Sequence, residues 1–283
     1  MVSVSKQSLR SLDRVVGWRG SHDPGPFTVP YPYPVLYCGN ADYPDMTLIA
    51  AVWSPEGFAI AADGFQVETN QPDKYDAQKI FHTPFHENSG FAYACAGTCR
   101  WGFQFGDYFC FIEATQRITD GLARTPFPDD PADYFNEVGE RLFQELAFPS
   151  GGNERSASRL NSGFAETRLL FAGYANGSSL WAELVFSNTG THFAPHVLAR
   201  VDHSPRQFMV FAGSNAVYGD MQIAGKLSQP LNLQEAIRMV HEYAQTCIES
   251  NTIIEDCANL RGHIHLASVT KEGFSWAIEP IRK

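Results

Sequence analysis

The sequence has few positive charges and no long apolar run, and each absence excludes a class of protein. Lysine and arginine number 21 against 31 aspartates and glutamates, which gives a formal net charge of −10. Proteins that bind nucleic acids normally carry a basic patch instead. No apolar stretch approaches the roughly 18 residues that a transmembrane helix requires. We therefore expect neither a nucleic-acid partner nor a membrane partner.

The chain also lacks paired cysteines. Its six cysteines are scattered and include no C-x-x-C pair. Cys95 and Cys99 lie within or beside apolar stretches, and Cys110 lies in an aromatic-rich one. Such surroundings favour buried free thiols over disulfides, and hence a reducing compartment. We predict a cytoplasmic location.

Histidines are present, but their pattern does not indicate a metal site. His263 and His265 alternate on a predicted strand and would share one face, yet no carboxylate or thiol lies near them at ligand spacing. We predict surface or core histidines, with no metal and no cofactor. The same prediction covers His82, His86, His192 and His196.

Residues 1–46 differ in composition from the rest of the chain. Six of the 17 prolines lie there, interleaved with four tyrosines, and this density excludes helix interiors and central strands. The first 20 residues lack the apolar region of a secretory signal, whereas a transit peptide and a solvated tail both remain open. We predict a leader at 1–46, either a propeptide or an extension, and one domain at 47–283.

The strongest structural pattern begins at Thr47. Two apolar runs, 48–53 and 58–62, are joined by Ser-Pro-Glu-Gly, which predicts a tight β-hairpin buried on both faces. Asp63 lies 16 residues after Thr47, and Lys79 lies 32 residues after Thr47. A hydroxyl, a carboxylate and an amine therefore flank the predicted hairpin.

Later segments alternate between strand and helix patterns. We predict strands at 91–97, 167–174, 179–187, 191–201, 207–213, 262–269 and 274–281, and helices at 99–124, 132–148, 217–227 and 232–250. Runs of strands between helices fit helices that cover two packed sheets. Aromatic side chains of the first helix either line contacts between subunits or fill the core: Trp101, Phe103, Phe105, Tyr108, Phe109 and Phe111.

Over most of 47–281 the chain resembles the proteasome β-subunit family, within the N-terminal-nucleophile (Ntn) hydrolases. The matching motifs follow the family's order: Thr47-Leu48-Ile49-Ala50, Gly57 with Ala62-Asp63, Lys79-Ile80-Phe81, Ala94-Cys95-Ala96-Gly97, Phe171-Ala172-Gly173-Tyr174, Ala212-Gly213-Ser214, Glu235-Ala236-Ile237 and Val269-Thr270-Lys271-Glu272-Gly273-Phe274. The resemblance implies an α+β fold, a four-layer αββα sandwich. It also implies a homo-oligomeric ring, a peptide or protein substrate and a regulatory ATPase as a candidate partner.

The resemblance implies catalytic roles for three residues. Thr47 would be the nucleophile, once it is the first residue of the chain and its own α-amine can act as the base. Lys79 would lower the pKa of that amine and stabilise developing charge, and Asp63 would hold Lys79 charged and oriented.

Three further residues would support this centre. Gly97 would donate its backbone N–H to the oxyanion, Ser214 matches a serine beside the amine, and Asp256 stands approximately where the family has an aspartate. The family's serine after that aspartate is missing from 256–262. Gly64-Phe65 also replaces the Ser/Thr-Arg that often follows the first aspartate.

Another departure concerns how Thr47 is freed. Self-processing relatives usually have glycine before the threonine, whereas this chain has Met46. Either Thr47 cleaves the Met46–Thr47 bond, or Met46 initiates the chain and an aminopeptidase removes it; we favour the second. The functions left open are a threonine-type endopeptidase, a non-catalytic ring subunit that keeps its leader, and a non-peptide amidase or peptide ligase.

Overall fold

The computed structural model describes residues 47–66, 74–97, 99–102, 108–147, 166–187, 196–202, 208–254, 257–258 and 260–280. The predicted leader at 1–46, His192 and Asp256 lie outside these residues. Within them, no helix combines the length and the apolar character needed to cross a membrane.

The predicted hairpin is confirmed. Strands β1 (Leu48–Ser54) and β2 (Gly57–Asp63) pair antiparallel from Ile49 opposite Ala62 to Ser54 opposite Gly57. Nearly every residue of both strands is buried, because other layers cover both faces of the hairpin.

Ten further strands among the described residues form, with this hairpin, two five-stranded antiparallel sheets and one small ribbon. Their bounds are β3 Ile80–His82, β4 Gly90–Gly97, β5 Arg100–Gly102, β6 Tyr108–Cys110, β7 Glu166–Ala175, β8 Ser178–Ser187, β9 His196–Asp202, β10 Met209–Gly213, β11 Ile264–Thr270 and β12 Gly273–Ile278. The first sheet has the order β10-β1-β2-β11-β12, and the second has the order β3-β4-β7-β8-β9. The seven predicted strands after the hairpin are thereby confirmed within a few residues, where they are described.

Four helices are described: α1 Phe111–Leu122, α2 Pro131–Ala147, α3 Tyr218–Ile223 and α4 Leu233–Glu249. Asp130 accepts a hydrogen bond from the amide of Ala132 at 2.9 Å, and Asn232 accepts one from the amide of Glu235 at 2.9 Å. These side chains cap amides that the first turn of a helix leaves unpaired, which explains why α2 and α4 begin where the sequence predicts.

The prediction of a helix over 99–124 is wrong in its first half. Residues on either side of the undescribed 103–107 form the β5–β6 ribbon, and α1 begins only at Phe111. Cys110 precedes α1 without a side-chain capping bond, so no polar residue marks this helix start. Phe109 and Phe111 are both buried, with rings in a T-shaped contact at 4.9 Å, and therefore fill the core; Trp101, Phe103, Phe105 and Tyr108 have no described side-chain environment.

Three hydrophobic layers show how the elements stack. Helices α1 and α2 pack on one face of the second sheet, while the other face of that sheet packs against the first sheet. Helices α3 and α4 pack on the outer face of the first sheet. The layers therefore follow the order helices, sheet, sheet, helices.

Candidate functional site at one edge of the two sheets

Three of the predicted site residues lie at strand ends that meet at one edge of the two packed sheets. Thr47 directly precedes β1, and Asp63 is the last residue of β2, so the antiparallel pairing of these strands brings both residues to the same edge. Lys79 directly precedes β3 of the second sheet. The site therefore takes residues from both sheets.

Asp63 and Lys79 form a buried ion pair. The ammonium nitrogen of Lys79 donates to Oδ1 of Asp63 at 2.9 Å, and the amide of Leu48 donates to the same oxygen at 2.9 Å. The amide of Phe65 donates to Oδ2 at 3.2 Å. Asp63 is 0% exposed and Lys79 is 8% exposed. Because Leu48 follows Thr47, one carboxylate holds both the backbone beside Thr47 and the ammonium of Lys79.

The electrostatics of this pair combine opposing effects. Burial has the largest effect and raises the pKa of Asp63 overall, although the ammonium of Lys79 and the amides of Leu48 and Phe65 lower it. A buried charge needs such partners, since taking it out of water costs far more than a surface ion pair gains. The pair therefore keeps a positive charge buried close to the start of β1.

The backbone of Thr47 is held from its other side by the end of β10. The amide of Ser214 donates to the carbonyl of Thr47 at 3.0 Å. Gly213 has φ +98°, and a Cβ there would lie 1.8 Å from that carbonyl oxygen. Only glycine allows this approach. Gly213 lies in the Ala212-Gly213-Ser214 motif and was not predicted to have a role of its own.

Ser214 lies beside Thr47, as its predicted supporting role requires. Its hydroxyl lies 3.8 Å from Sγ of Cys257, and its carbonyl accepts from the hydroxyl of Tyr243 at 3.4 Å. Cys257 is fully buried and was not predicted to belong to the site. Its neighbour Asp256 lies outside the described residues, so its predicted role remains a prediction.

Gly97 is the last residue of β4 and has a positive φ of +80°. A Cβ at this position would lie 2.2 Å from the carbonyl oxygen of Glu166 on the neighbouring β7. Close packing between these strands therefore requires glycine here, whether or not its N–H binds an oxyanion.

No carboxylate lies near His263 and His265 at ligand spacing in the sequence, but the fold brings Asp76 to His265, which is a core histidine. The two histidine rings lie 5.6 Å apart, and Nε2 of His265 lies 2.9 Å from Oδ1 of Asp76. Asp76 and His265 are 189 positions apart in the sequence, so no local spacing reveals the contact. Within the described part of the chain, no group of three or more potential ligands has the arrangement of a metal site.

A cavity of about 300 Å³ lies away from this edge. It opens beside Gly90, at the other end of β4 from Gly97, and aromatic rings of Phe91, Phe127 and Tyr134 line it. Of the predicted site residues that the structure describes, none lines this cavity.

Comparisons with known proteins give little beyond these observations. No protein-family model matches the chain, and no curated protein matches it. Among solved structures, the chain is similar to a Gly-1 mutant of Anbu from Hyphomicrobium sp. strain MC1. The two are 15% identical over 82% of this chain and 85% of that chain, with a TM-score of 0.48. Roles for the site residues are therefore inferred from their own geometry.

Proposed function

We propose that this chain is an Ntn hydrolase of the proteasome β-subunit type, a threonine peptidase that becomes active when Thr47 is its first residue. The observation that carries the proposal is the buried Lys79–Asp63 pair. Oδ1 of Asp63 binds both the ammonium and the amide of Leu48 at 2.9 Å. A fixed positive charge thus lies close to the residue whose hydroxyl and amine would react.

This charge supplies what a threonine nucleophile lacks. A threonine hydroxyl reacts poorly near neutral pH unless a base takes its proton. An α-amine has an ordinary pKa of about 7.7 to 8.0, and a nearby ammonium lowers it, because two positive charges repel each other. The α-amine of a chain that begins at Thr47 would therefore be largely neutral at physiological pH and able to act as the base.

The first half of the reaction transfers the acyl group to Thr47. The α-amine takes the hydroxyl proton while Oγ1 attacks the carbonyl carbon of the scissile amide. Negative charge moves to the carbonyl oxygen, for which the backbone N–H of Gly97 is the proposed donor. The protonated amine then gives its proton to the departing nitrogen, the C–N bond breaks, and an ester remains on Oγ1.

The second half restores the enzyme. The neutral α-amine takes a proton from water while the water oxygen attacks the ester carbon. Cleavage of the ester bond returns the proton to Oγ1 and releases the carboxylic acid. In this scheme Lys79 gives up no proton, and its ion pair with Asp63 holds the ammonium in place.

A direct test compares two forms of the protein. One is the full chain, and the other is made as a cleavable fusion whose processing leaves Thr47 first. We expect only the second form to release a fluorescent amine from peptide amides and to form a one-to-one adduct with a peptide epoxyketone. That reagent offers one electrophilic carbon to the hydroxyl and another to the amine, and intact mass detects the adduct.

The matched controls are Thr47→Ala and Thr47→Ser in the freed form. Thr47→Ala should abolish turnover and adduct, since it removes the attacking oxygen, whereas Thr47→Ser should retain part of both. Turnover by Thr47→Ala at the rate of the parent would sink the proposal. So would a freed, folded parent that neither turns over nor forms the adduct.

One sequence feature favours a second function, a non-catalytic subunit of a ring. Met46 stands where a self-cleaving chain would be expected to have glycine. If residues 1–46 are kept, Thr47 has no free amine and the base is missing. Intact mass of the protein isolated from its natural source separates the two functions, since a chain beginning at Thr47 supports catalysis and a retained leader supports the subunit role.

A further inference from the structure

A buried histidine and an aspartate form a second polar pair close to the Lys79–Asp63 pair. His265 lies on β11 opposite Ala62 of β2 and is 0% exposed. Its Nε2 lies 2.9 Å from Oδ1 of Asp76. An ionised carboxylate only accepts hydrogen bonds, so Nε2 carries the proton and donates it.

The other ring nitrogen of His265 lowers the stability of the folded protein. Nδ1 is buried and has no hydrogen-bond partner among the described residues. A buried acceptor without a partner lowers stability, and an apolar ring would fill the same space without that cost. Packing alone therefore does not account for a histidine here.

Asp76 belongs to the segment that joins Asp63 to Lys79. Two backbone bonds hold the last residues of this segment. The amide of Ala77 donates to the carbonyl of Gly64 at 2.8 Å, and the carbonyl of Tyr75 accepts from the amide of His263 at 2.7 Å. The bond from His265 to Asp76 adds a side-chain anchor three residues before Lys79.

We propose that His265 and Asp76 are positioning residues, which hold the segment before Lys79 so that its ammonium stays on Asp63 beside Thr47. This inference rests on the proposed function and names two residues that serve the same centre. They act through Lys79 and do not touch the reacting atoms.

The charges around His265 favour its neutral form. Burial lowers the pKa of His265, and the nearby Lys79 and His263 lower it further, while Asp76 opposes them. In the neutral form the single ring N–H is directed to Asp76 and the anchor is intact. Protonation would place a second positive charge close to Lys79.

The test uses the freed form with three variants. His265→Phe keeps the bulk of the ring but removes the donor, His265→Gln keeps a donor, and Asp76→Ala removes the acceptor. Two quantities are measured: kcat and KM on a peptide amide, and the pKa of the Thr47 amine from the pH dependence of its acylation, located by peptide mass. Circular dichroism and thermal melting check folding.

We expect His265→Phe and Asp76→Ala to lower kcat at least about tenfold with little change in KM, since a small misplacement of a catalytic group is costly. Both should raise the pKa of the Thr47 amine towards its ordinary value of about 7.7 to 8.0. His265→Gln should stay within about threefold of the parent. If His265→Phe does not fold, Asp76→Ala provides the same comparison, because Asp76 lies closer to the surface.

A folded His265→Phe variant with the parent's kcat and amine pKa would overturn the inference. Equal loss in His265→Gln and His265→Phe would also contradict it, because the donor would then not matter. If the parent shows neither turnover nor adduct, the proposed function fails. The amine pKa values still decide the positioning role in that case, since their measurement requires no catalysis.

Discussion

The two faces of the second sheet have cores of opposite character. The face beneath α1 and α2 is rich in large rings: Phe91, Tyr93, Phe111, Phe135, Phe171 and Phe186. The face against the first sheet is rich in alanine: Ala92, Ala94, Ala96 and Ala172, opposite Ala51, Ala62, Ala212 and Ala267. Among the described residues, eight of the 16 buried members of this inter-sheet layer are alanine, and we call it the alanine layer.

The difference bears directly on the candidate site. Packed sheets usually lie about 10 Å apart, and small side chains allow them to approach more closely than rings do. Lys79 precedes a strand of the second sheet and Asp63 ends a strand of the first, yet their charged groups meet at 2.9 Å. Large rings therefore fill the core beneath α1 and α2, whereas small side chains lie between the two sheets, where this contact forms.

The largest effect should come from breaking that contact. Lys79→Met leaves the carboxylate of Asp63 buried without its cation, which costs about 3 to 5 kcal/mol of the free energy of unfolding. In the freed form it should also lower the rate of the proposed peptidase reaction by at least about 100-fold, because the amine would lose the charge that we propose lowers its pKa. Denaturant unfolding and amide hydrolysis measure the two effects.

A surface ion pair on the aromatic side provides the matched control. Arg141 donates to Glu137 at 2.6 Å on α2, and both side chains are nearly half exposed. Arg141→Met should change stability by only about 0.3 to 0.5 kcal/mol. Combining Lys79→Met with Asp63→Asn should recover part of the stability but none of the rate, and recovery of both would refute the catalytic assignment.

Most elements of the fold are predictable from the amino-acid sequence for identifiable reasons. Residues 48–63 form the expected hairpin because both runs are continuously apolar and a short polar turn joins them. α4 begins as expected because Asn232 caps it. The β5–β6 ribbon was missed because its aromatic residues fit a helical spacing as well as a strand, and no capping side chain marks the start of α1.

The candidate site is less predictable. The offsets of Thr47, Asp63 and Lys79 suggest a common centre, and the strand pairing brings their chain positions to one edge. Asp76 and His265 could not be paired from the sequence, because their contact depends on how a loop lies across β11. Cys257 was missed for the same reason, since its contact with Ser214 joins two distant segments.

A pair of core substitutions tests the contrast between the two faces directly. Ala94→Leu adds bulk between the sheets beside Ile80, its partner on β3, and should cost about 1 to 3 kcal/mol. Phe135→Leu removes bulk from the aromatic core and should cost a comparable amount, roughly 0.5 to 3 kcal/mol. In the freed form only Ala94→Leu should greatly lower the peptidase rate, because it shifts the strand that follows Lys79.

Rates must be measured well below the melting temperature of both variants, so that each is fully folded. Equal loss of rate in Ala94→Leu and Phe135→Leu would show that the alanine layer has no special relation to the site. Unchanged rates in both would mean that the position of Lys79 does not depend on the spacing of the sheets.

The smallest effect concerns pH and the histidine buried in the alanine layer. Because the pKa of His265 is lowered by burial, the unfolded chain takes up a proton near the ordinary value of about 6.5 while the folded protein does not. This contribution to stability is present at higher pH and is lost as the pH falls below about 6.5, by up to about 1.4 kcal/mol per pH unit.

Unfolding free energies between pH 8 and pH 5 should therefore decline more steeply for the parent than for His265→Phe. Burial raises the pKa of Asp63, which makes its contribution to stability depend on pH with the opposite sign. Both proteins contain Asp63, so this contribution cancels when their slopes are compared. His86→Gln is the matched control, since it removes an exposed histidine instead of the buried one. Equal slopes for the parent and His265→Phe would mean that His265 takes up its proton as readily in the folded protein as in the unfolded chain. The surroundings of His265 would then not exclude a second positive charge beside that of Lys79.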